Sequence, residues 1–132
     1  MGFNEIKHTA DWALLIWGEN IETLFKEAAR GMYALMSAQS SQTPRRIYEF
    51  STYQTNLESQ LVSFLSELLY CTEQEELIFD SFYFKLSDGG FAVKMEGSNI
   101  TSIQRQIKAV TFHNLEIKQS NQGYQVEIVF DV

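Results

Sequence analysis

The chain has 132 residues, of which 45% are hydrophobic and 14% aromatic, with a formal net charge of −7 and a sequence pI of about 4.7. This length and composition predict a single folded domain, residues 1–132, and argue against disorder. The acidic excess argues against avid nucleic-acid binding, which uses Lys and Arg to neutralise phosphates. It suits a basic protein partner, although acidity also serves solubility alone.

Features that bear on cellular location favour the cytoplasm. No apolar run approaches the roughly 20 residues that cross a bilayer, so we expect no membrane association. Residues 1–5 lack a basic stretch followed by an apolar one, which argues against a secretory signal. The single cysteine, Cys71, cannot form an internal disulfide and is expected to be a structural thiol at the end of a helix.

The first part of the chain predicts two strands and a helix. Residues 3–7 and 13–18 read as short strands separated by the turn at residues 8–11. Asn20 can cap a helix, because its side chain accepts hydrogen bonds from free N–H groups of the first turn. Apolar residues then recur at helical spacing until about Ser37, namely Ile21, Leu24, Phe25, Ala28, Met32, Leu35 and Met36.

The middle of the chain predicts a strand and a second helix. Residues 47–53 are rich in aromatic and β-branched side chains, as strands are. Asn56 can cap the helix that follows, whose apolar face comprises Leu57, Leu61, Phe64, Leu65, Leu68 and Leu69.

The last part predicts two hairpins. Residues 82–86 and 91–95 alternate around Asp88-Gly89-Gly90, and residues 107–118 pair with residues 124–130 around the turn at 121–123. The elements together predict an α+β fold, a two-layer sandwich in which a mostly antiparallel mixed sheet is packed by two amphipathic helices.

Two aspartates are the first candidates for a functional site. If alternate residues of the last strand face the core, Asp131 points the other way, where its carboxylate can bind a cation beside the main-chain carboxylate of Val132. The alternative is a solvated chain end. Asp11 follows a turn and could add a third carboxylate, or its side chain could bond its own backbone.

The remaining candidates are basic or hydroxyl side chains. His8 and His113, the only histidines, could act as general bases or metal ligands, or as hydrogen-bonded structural residues. Lys108 could bind a phosphate or an acidic group of a partner, or be an exposed strand lysine. Unbroken alternation puts Lys108 on the opposite face from Thr111 and His113, so a shared site would need a bulge or twist.

Other sites are excluded by missing motifs. The chain has no G-x-S-x-G elbow, no G-x-x-x-x-G-K-[ST] loop and no G-x-G-x-x-G loop. One cysteine and two histidines cannot build a standard structural zinc site.

Several segments in this order resemble the archease family, small acidic proteins that assist an RNA-joining ligase. They are His-Thr-Ala-Asp at 8–11, Thr-Leu-Phe-Lys-Glu-Ala-Ala at 23–29, Phe-Leu-Ser-Glu-Leu-Leu at 64–69, Lys-Ala-Val-Thr-Phe-His at 108–113, and the final Phe-Asp-Val. The chain departs from the family pattern at Trp12, where a small or β-branched residue is more common, and at Phe112, where Tyr is common.

The resemblance implies an accessory protein that is not itself catalytic. It would promote guanylylation and multiple turnover of the GTP-dependent ligase that joins 2′,3′-cyclic-phosphate or 3′-phosphate RNA ends to 5′-hydroxyl ends in tRNA splicing and RNA repair. The protein would contact RNA only indirectly, through the ligase, and would not bind DNA. Asp11, Asp131 and the Val132 carboxylate would bind a divalent metal, Ca²⁺, Mg²⁺ or Mn²⁺ with Ca²⁺ favoured, and Lys108 would support the site.

The residues leave two other functions open. One is a protein-binding or chaperone-like module in which metal makes no difference. The other is a small metal-dependent hydrolase using Asp11, His113 and Asp131, which would turn over substrate without any ligase.

Overall fold

The computed structural model describes residues 1–7 and 11–132. It confirms the predicted α+β class, with two helices packed on antiparallel sheets. In chain order the strands are β1 (Gly2–Lys7), β2 (Trp12–Gly18), β3 (Gln39–Ser40), β4 (Arg46–Thr52), β5 (Leu77–Ser87), β6 (Gly90–Ser102), β7 (Ala109–Val110), β8 (Lys118–Ser120) and β9 (Gly123–Asp131).

The strands divide between two sheets. The five-stranded sheet has the order β1-β2-β9-β7, and β8 also pairs with β9. The four-stranded sheet is built around β6, which pairs with β3, β4 and β5. Every strand pair in the described ranges is antiparallel. The second strand, β2, and the last strand, β9, are therefore neighbours in the middle of one sheet.

Both helices begin at the predicted asparagine caps. Helix α1 (Ile21–Met36) starts after Asn20, whose Oδ1 accepts the N–H of Thr23 at 2.8 Å. Helix α2 (Leu57–Tyr70) starts after Asn56 in the same way. These side chains satisfy N–H groups that have no partner within the helix. No helix in residues 1–7 or 11–132 is long and apolar enough to span a membrane.

The core lies where the helices meet the inner faces of both sheets. Helix α1 contacts β2 and β5, and α2 contacts β7 and β4. Aromatic rings fill the centre: Phe25 stacks on Phe64 with centroids 5.8 Å apart, and Phe84 meets Phe64 edge-on at 5.2 Å. Each fully buried ring of this kind contributes roughly 1.5–3 kcal/mol by leaving water.

The prediction of one long strand over residues 107–118 was wrong. Only β7 and β8 are strands there, and a turn separates them. The hydroxyl and the N–H of Thr111 both donate to the carbonyl of Val129 at 3.0 Å, and Asn114 takes a left-handed conformation with φ 51°. Because Asn tolerates that conformation better than most residues, the chain leaves the sheet here. The hairpin of β8 with β9 is confirmed.

Candidate functional site

The ladder between β2 and β9 brings Asp11 and Asp131 to the same end of the sheet. The last registered pair is Trp12 with Phe130. Asp11 directly precedes Trp12 and Asp131 directly follows Phe130, so the two aspartates lie one step further along neighbouring strands. Adjacent strands are about 4.8 Å apart, so the β2–β9 pairing places at one end of the sheet two residues that are far apart in sequence.

Alternation along β9 sets the exposure of Asp131. Phe130 is fully buried, and Asp131, the next residue, is exposed. This agrees with the expectation that Asp131 points away from the core. Asp11 is half-buried, and Val132 is half-buried and packs against the core. The carboxylate of Asp131 therefore stays in contact with water.

Strand β7 flanks Asp131 on the side away from β2. Ala109 pairs with Asp131, and the N–H of Lys108 donates to the carbonyl oxygen of Asp131 at 2.8 Å. The residue Lys108 is exposed. The structure thus joins Lys108 to Asp131 through the backbone and leaves the ammonium group on the surface.

Thr111 and His113 lie in the turn that follows β7. The Thr111 hydroxyl, which donates to Val129, also accepts the N–H of His113 at 3.3 Å. The Thr111 side chain therefore stabilises the turn through these two hydrogen bonds. The ring of His113 is exposed, with Nε2 3.3 Å from the side-chain nitrogen of Asn114. Strand alternation ends at Val110, so the predicted conflict of faces between Lys108 and His113 does not arise.

The predicted metal ligands form an incomplete set of side chains. Within residues 1–7 and 11–132, no three His, Cys, Asp or Glu side chains converge as metal ligands. The predicted set has two side-chain carboxylates, Asp11 and Asp131, and relies on the main-chain carboxylate of Val132 for the third. All three are hard oxygen donors, which fits Ca²⁺, Mg²⁺ or Mn²⁺ better than a soft metal. His8 lies outside the described residues.

Cys71 is the structural thiol that its position indicates. It is fully buried, at the start of a π-helical turn (Cys71–Glu75) that extends α2. Burial raises the pKa of the Cys71 thiol to about 11, so it stays protonated and unreactive at neutral pH.

Trp12 has a contact that the sequence did not indicate. Its ring packs against the core, and the guanidinium of Arg105 lies over it, 4.8 Å from the ring centre. The N–H of Arg105 donates to the carbonyl of Met36 at 3.2 Å, and this bond holds the backbone of Arg105 against the end of α1. No local pattern predicts this cation–π pair, because the two residues come from separate regions of the chain.

A groove of about 810 Å³ lies beside the C-terminal ends of the two helices and residues 100–107. Glu73 and Glu76 line it, as do Arg105 and Ile107, but neither Asp11 nor Asp131 does. The two carboxylates therefore lie outside this groove, at the end of the sheet.

Comparison with known proteins identifies the family. The chain matches the sequence model of the archease protein family over residues 3–132. It belongs to the archease family. An archease of Methanosarcina mazei is 31% identical over 142 residues, a match covering 98% of this chain and 95% of that protein. An archease of Aeropyrum pernix is 29% identical, with 99% and 97% coverage.

A solved structure shares the archease fold. The solution structure of Methanobacterium thermoautotrophicum protein 1598 matches with a TM-score of 0.69 and 24% identity, covering 99% of both chains. The likeness supports the arrangement of sheets and helices over the whole chain.

Proposed function

We propose that this archease is an accessory protein of a GTP-dependent RNA ligase. It promotes guanylylation and multiple turnover of the enzyme that joins 2′,3′-cyclic-phosphate or 3′-phosphate RNA ends to 5′-hydroxyl ends, in tRNA splicing and RNA repair in the cytoplasm. It acts on the ligase and has no turnover of its own. The observation that carries the proposal is the placement of Asp11 and Asp131 at the same end of the β2–β9 pair in a chain of this family.

Asp11, Asp131 and the Val132 carboxylate would hold one divalent cation, with Ca²⁺ favoured. The exposure of Asp131 supports this role, because its carboxylate can meet a cation without first losing its contact with water. A cation held there would supply positive charge that offsets the negative charge of phosphate oxygens. The backbone bond from Lys108 to Asp131 places these two residues side by side.

The charge of the protein supports a basic partner. At a net charge of −7, the protein would be steered by its field toward an enzyme with a basic RNA-binding surface. The same charge disfavours direct binding to RNA, so the protein would reach RNA ends only through the ligase.

The test is guanylylation and multiple-turnover RNA joining by the ligase, with and without this protein. We compare Asp11→Asn and Asp131→Asn with Asp88→Asn, which removes the same charge from the exposed β5–β6 turn. The two site variants should lose stimulation and the Asp88 variant should keep it. Absence of stimulation by the folded, calcium-loaded parent protein would reject the function.

The same assays separate the other two functions. A hydrolase would release product without ligase, and a metal-independent module would act equally well after chelation of calcium. Stimulation that requires both the ligase and the two aspartates matches neither.

A further inference from the structure

Phe112 is exposed in a way that no other phenylalanine of this chain is. Its side chain is 58% exposed, whereas the other nine phenylalanines are buried or half-buried. Tyr53, Tyr70 and Tyr83 are exposed too, but each keeps a hydroxyl in water. Phe112 has no polar group that gains from exposure.

The turn that carries Phe112 is held firmly on both sides. Thr111 is bonded twice to Val129, and the N–H of Leu115 donates to the carbonyl of Phe112 at 3.1 Å. Leu115 and Ile117 pack against the core, and the N–H of Ile117 donates to Glu58 at 2.9 Å. The backbone that carries the ring is therefore held in place, so little backbone order is lost when a partner covers the ring.

Phe112 lies close to the carboxylates described above. It comes three residues after Ala109, which pairs with Asp131, and three residues of chain span at most about 11 Å. One standard interface, about 800 Å² on each partner, would cover both residues. Glu116, which lies in the same connection between β7 and β8, is exposed and adds a negative charge to this segment.

From these observations we infer that Phe112 is an anchor by which this protein docks on the ligase of the proposed function, on which this inference rests. The partner surface is an apolar pocket with a basic rim, complementary to an exposed aromatic ring and to the negative charge of Glu116. Aromatic anchors contribute much of the binding energy in protein interfaces. Docking at Phe112 would bring the ligase to Asp11 and Asp131.

The test separates docking from activation. We measure the Kd of immobilised ligase for the parent protein and for Phe112→Ser, Phe112→Tyr and Asp131→Asn, together with stimulation at saturating concentration. Tyr83→Ser is the matched control, since Tyr83 is 71% exposed on the other sheet.

Phe112→Ser should raise the Kd at least about tenfold and keep maximal stimulation, whereas Phe112→Tyr and Tyr83→Ser should bind like the parent. Asp131→Asn should bind and fail to stimulate. An unchanged Kd for Phe112→Ser, beside normal stimulation by the parent, would overturn the docking inference alone. So would a Phe112→Ser variant that dissociates a dimer of this protein in ultracentrifugation without weakening its binding to ligase. A parent protein that neither binds nor stimulates would reject the proposed function and the anchor together.

Discussion

Lys108 and Asp131 are joined by a backbone hydrogen bond of 2.8 Å, from the N–H of one to the carbonyl of the other. Both side chains are left free of that bond, and both residues are exposed. Substitution of either side chain should therefore leave the β7–β9 pairing in place. A functional loss in such a variant would report the chemistry of the side chain.

Replacing Lys108 by Met tests its ammonium group. We expect a change in the free energy of unfolding within about 0.5 kcal/mol, as for most surface substitutions. Ligase stimulation should fall roughly tenfold or more, because hydrogen bonds to charged groups contribute about 1.5–3 kcal/mol. Lys118→Met, at an exposed lysine of β8, is the control. Full stimulation by the Lys108 variant would remove this lysine from the site.

Extending the chain beyond Val132 tests the main-chain carboxylate. Two added glycines would turn this carboxylate into a peptide carbonyl, and the affinity for Ca²⁺ should fall at least about tenfold, as it does for weaker perturbations of metal sites. Isothermal titration calorimetry measures the change, and the same two glycines placed before Met1 are the control. Equal affinity in both extended proteins would exclude Val132 as a ligand.

Phe64 and Phe112 offer the same substitution in two environments. Phe64→Ala removes a fully buried ring from the aromatic cluster and should cost about 3–5 kcal/mol of unfolding free energy. Phe112→Ala removes an exposed ring and should cost less than about 0.5 kcal/mol. Urea denaturation measures both. A large loss for Phe112→Ala would mean that its ring supports the fold, against a role as an anchor.

The Cys71 thiol should make the free energy of unfolding depend on pH in the alkaline range. Burial raises the pKa of this thiol in the folded protein from its ordinary value of 9.0 to about 11. As the pH rises past 9, the unfolded chain loses the thiol proton first and binds fewer protons than the folded protein, so the free energy of unfolding falls up to about pH 11.

Cys71→Ala removes this contribution. Its unfolding free energy should decline less steeply than that of the parent between pH 9 and 11, even if the variant is less stable throughout. Urea denaturation at several pH values gives the two slopes. Parallel curves would show that the thiol has the same pKa in the folded and unfolded states.

Local signals in the sequence predicted the helices and the main hairpins well. Asn20 and Asn56 are caps as expected, because a cap depends on residues three positions apart. The break after Val110 was missed, since it depends on the bond from Thr111 to Val129 on another strand. The division of the strands into two sheets was also missed, because it depends on pairing between strands that are far apart in sequence.

The site was predictable only in part. Alternation along the last strand predicted the exposure of Asp131, and the structure agrees. The placement of Asp131 and Asp11 at the same end of the sheet depends on which strands pair, and no local sequence pattern determines that pairing. Only the family resemblance predicted that Asp11 and Asp131 belong to one site. The exposure of Phe112 had no signal, because an aromatic residue in a predicted strand is ordinarily part of the core.

The position of β9 has a consequence for synthesis. This strand comes last among the strands along the chain, yet it lies between β2 and β7 in its sheet. On the ribosome, β1 and β2 can pair early, but their sheet has no centre until residues 123–131 emerge. A translation product that stops before β9 would lack both the central strand of this sheet and Asp131. Such fragments would be exposed to proteolysis.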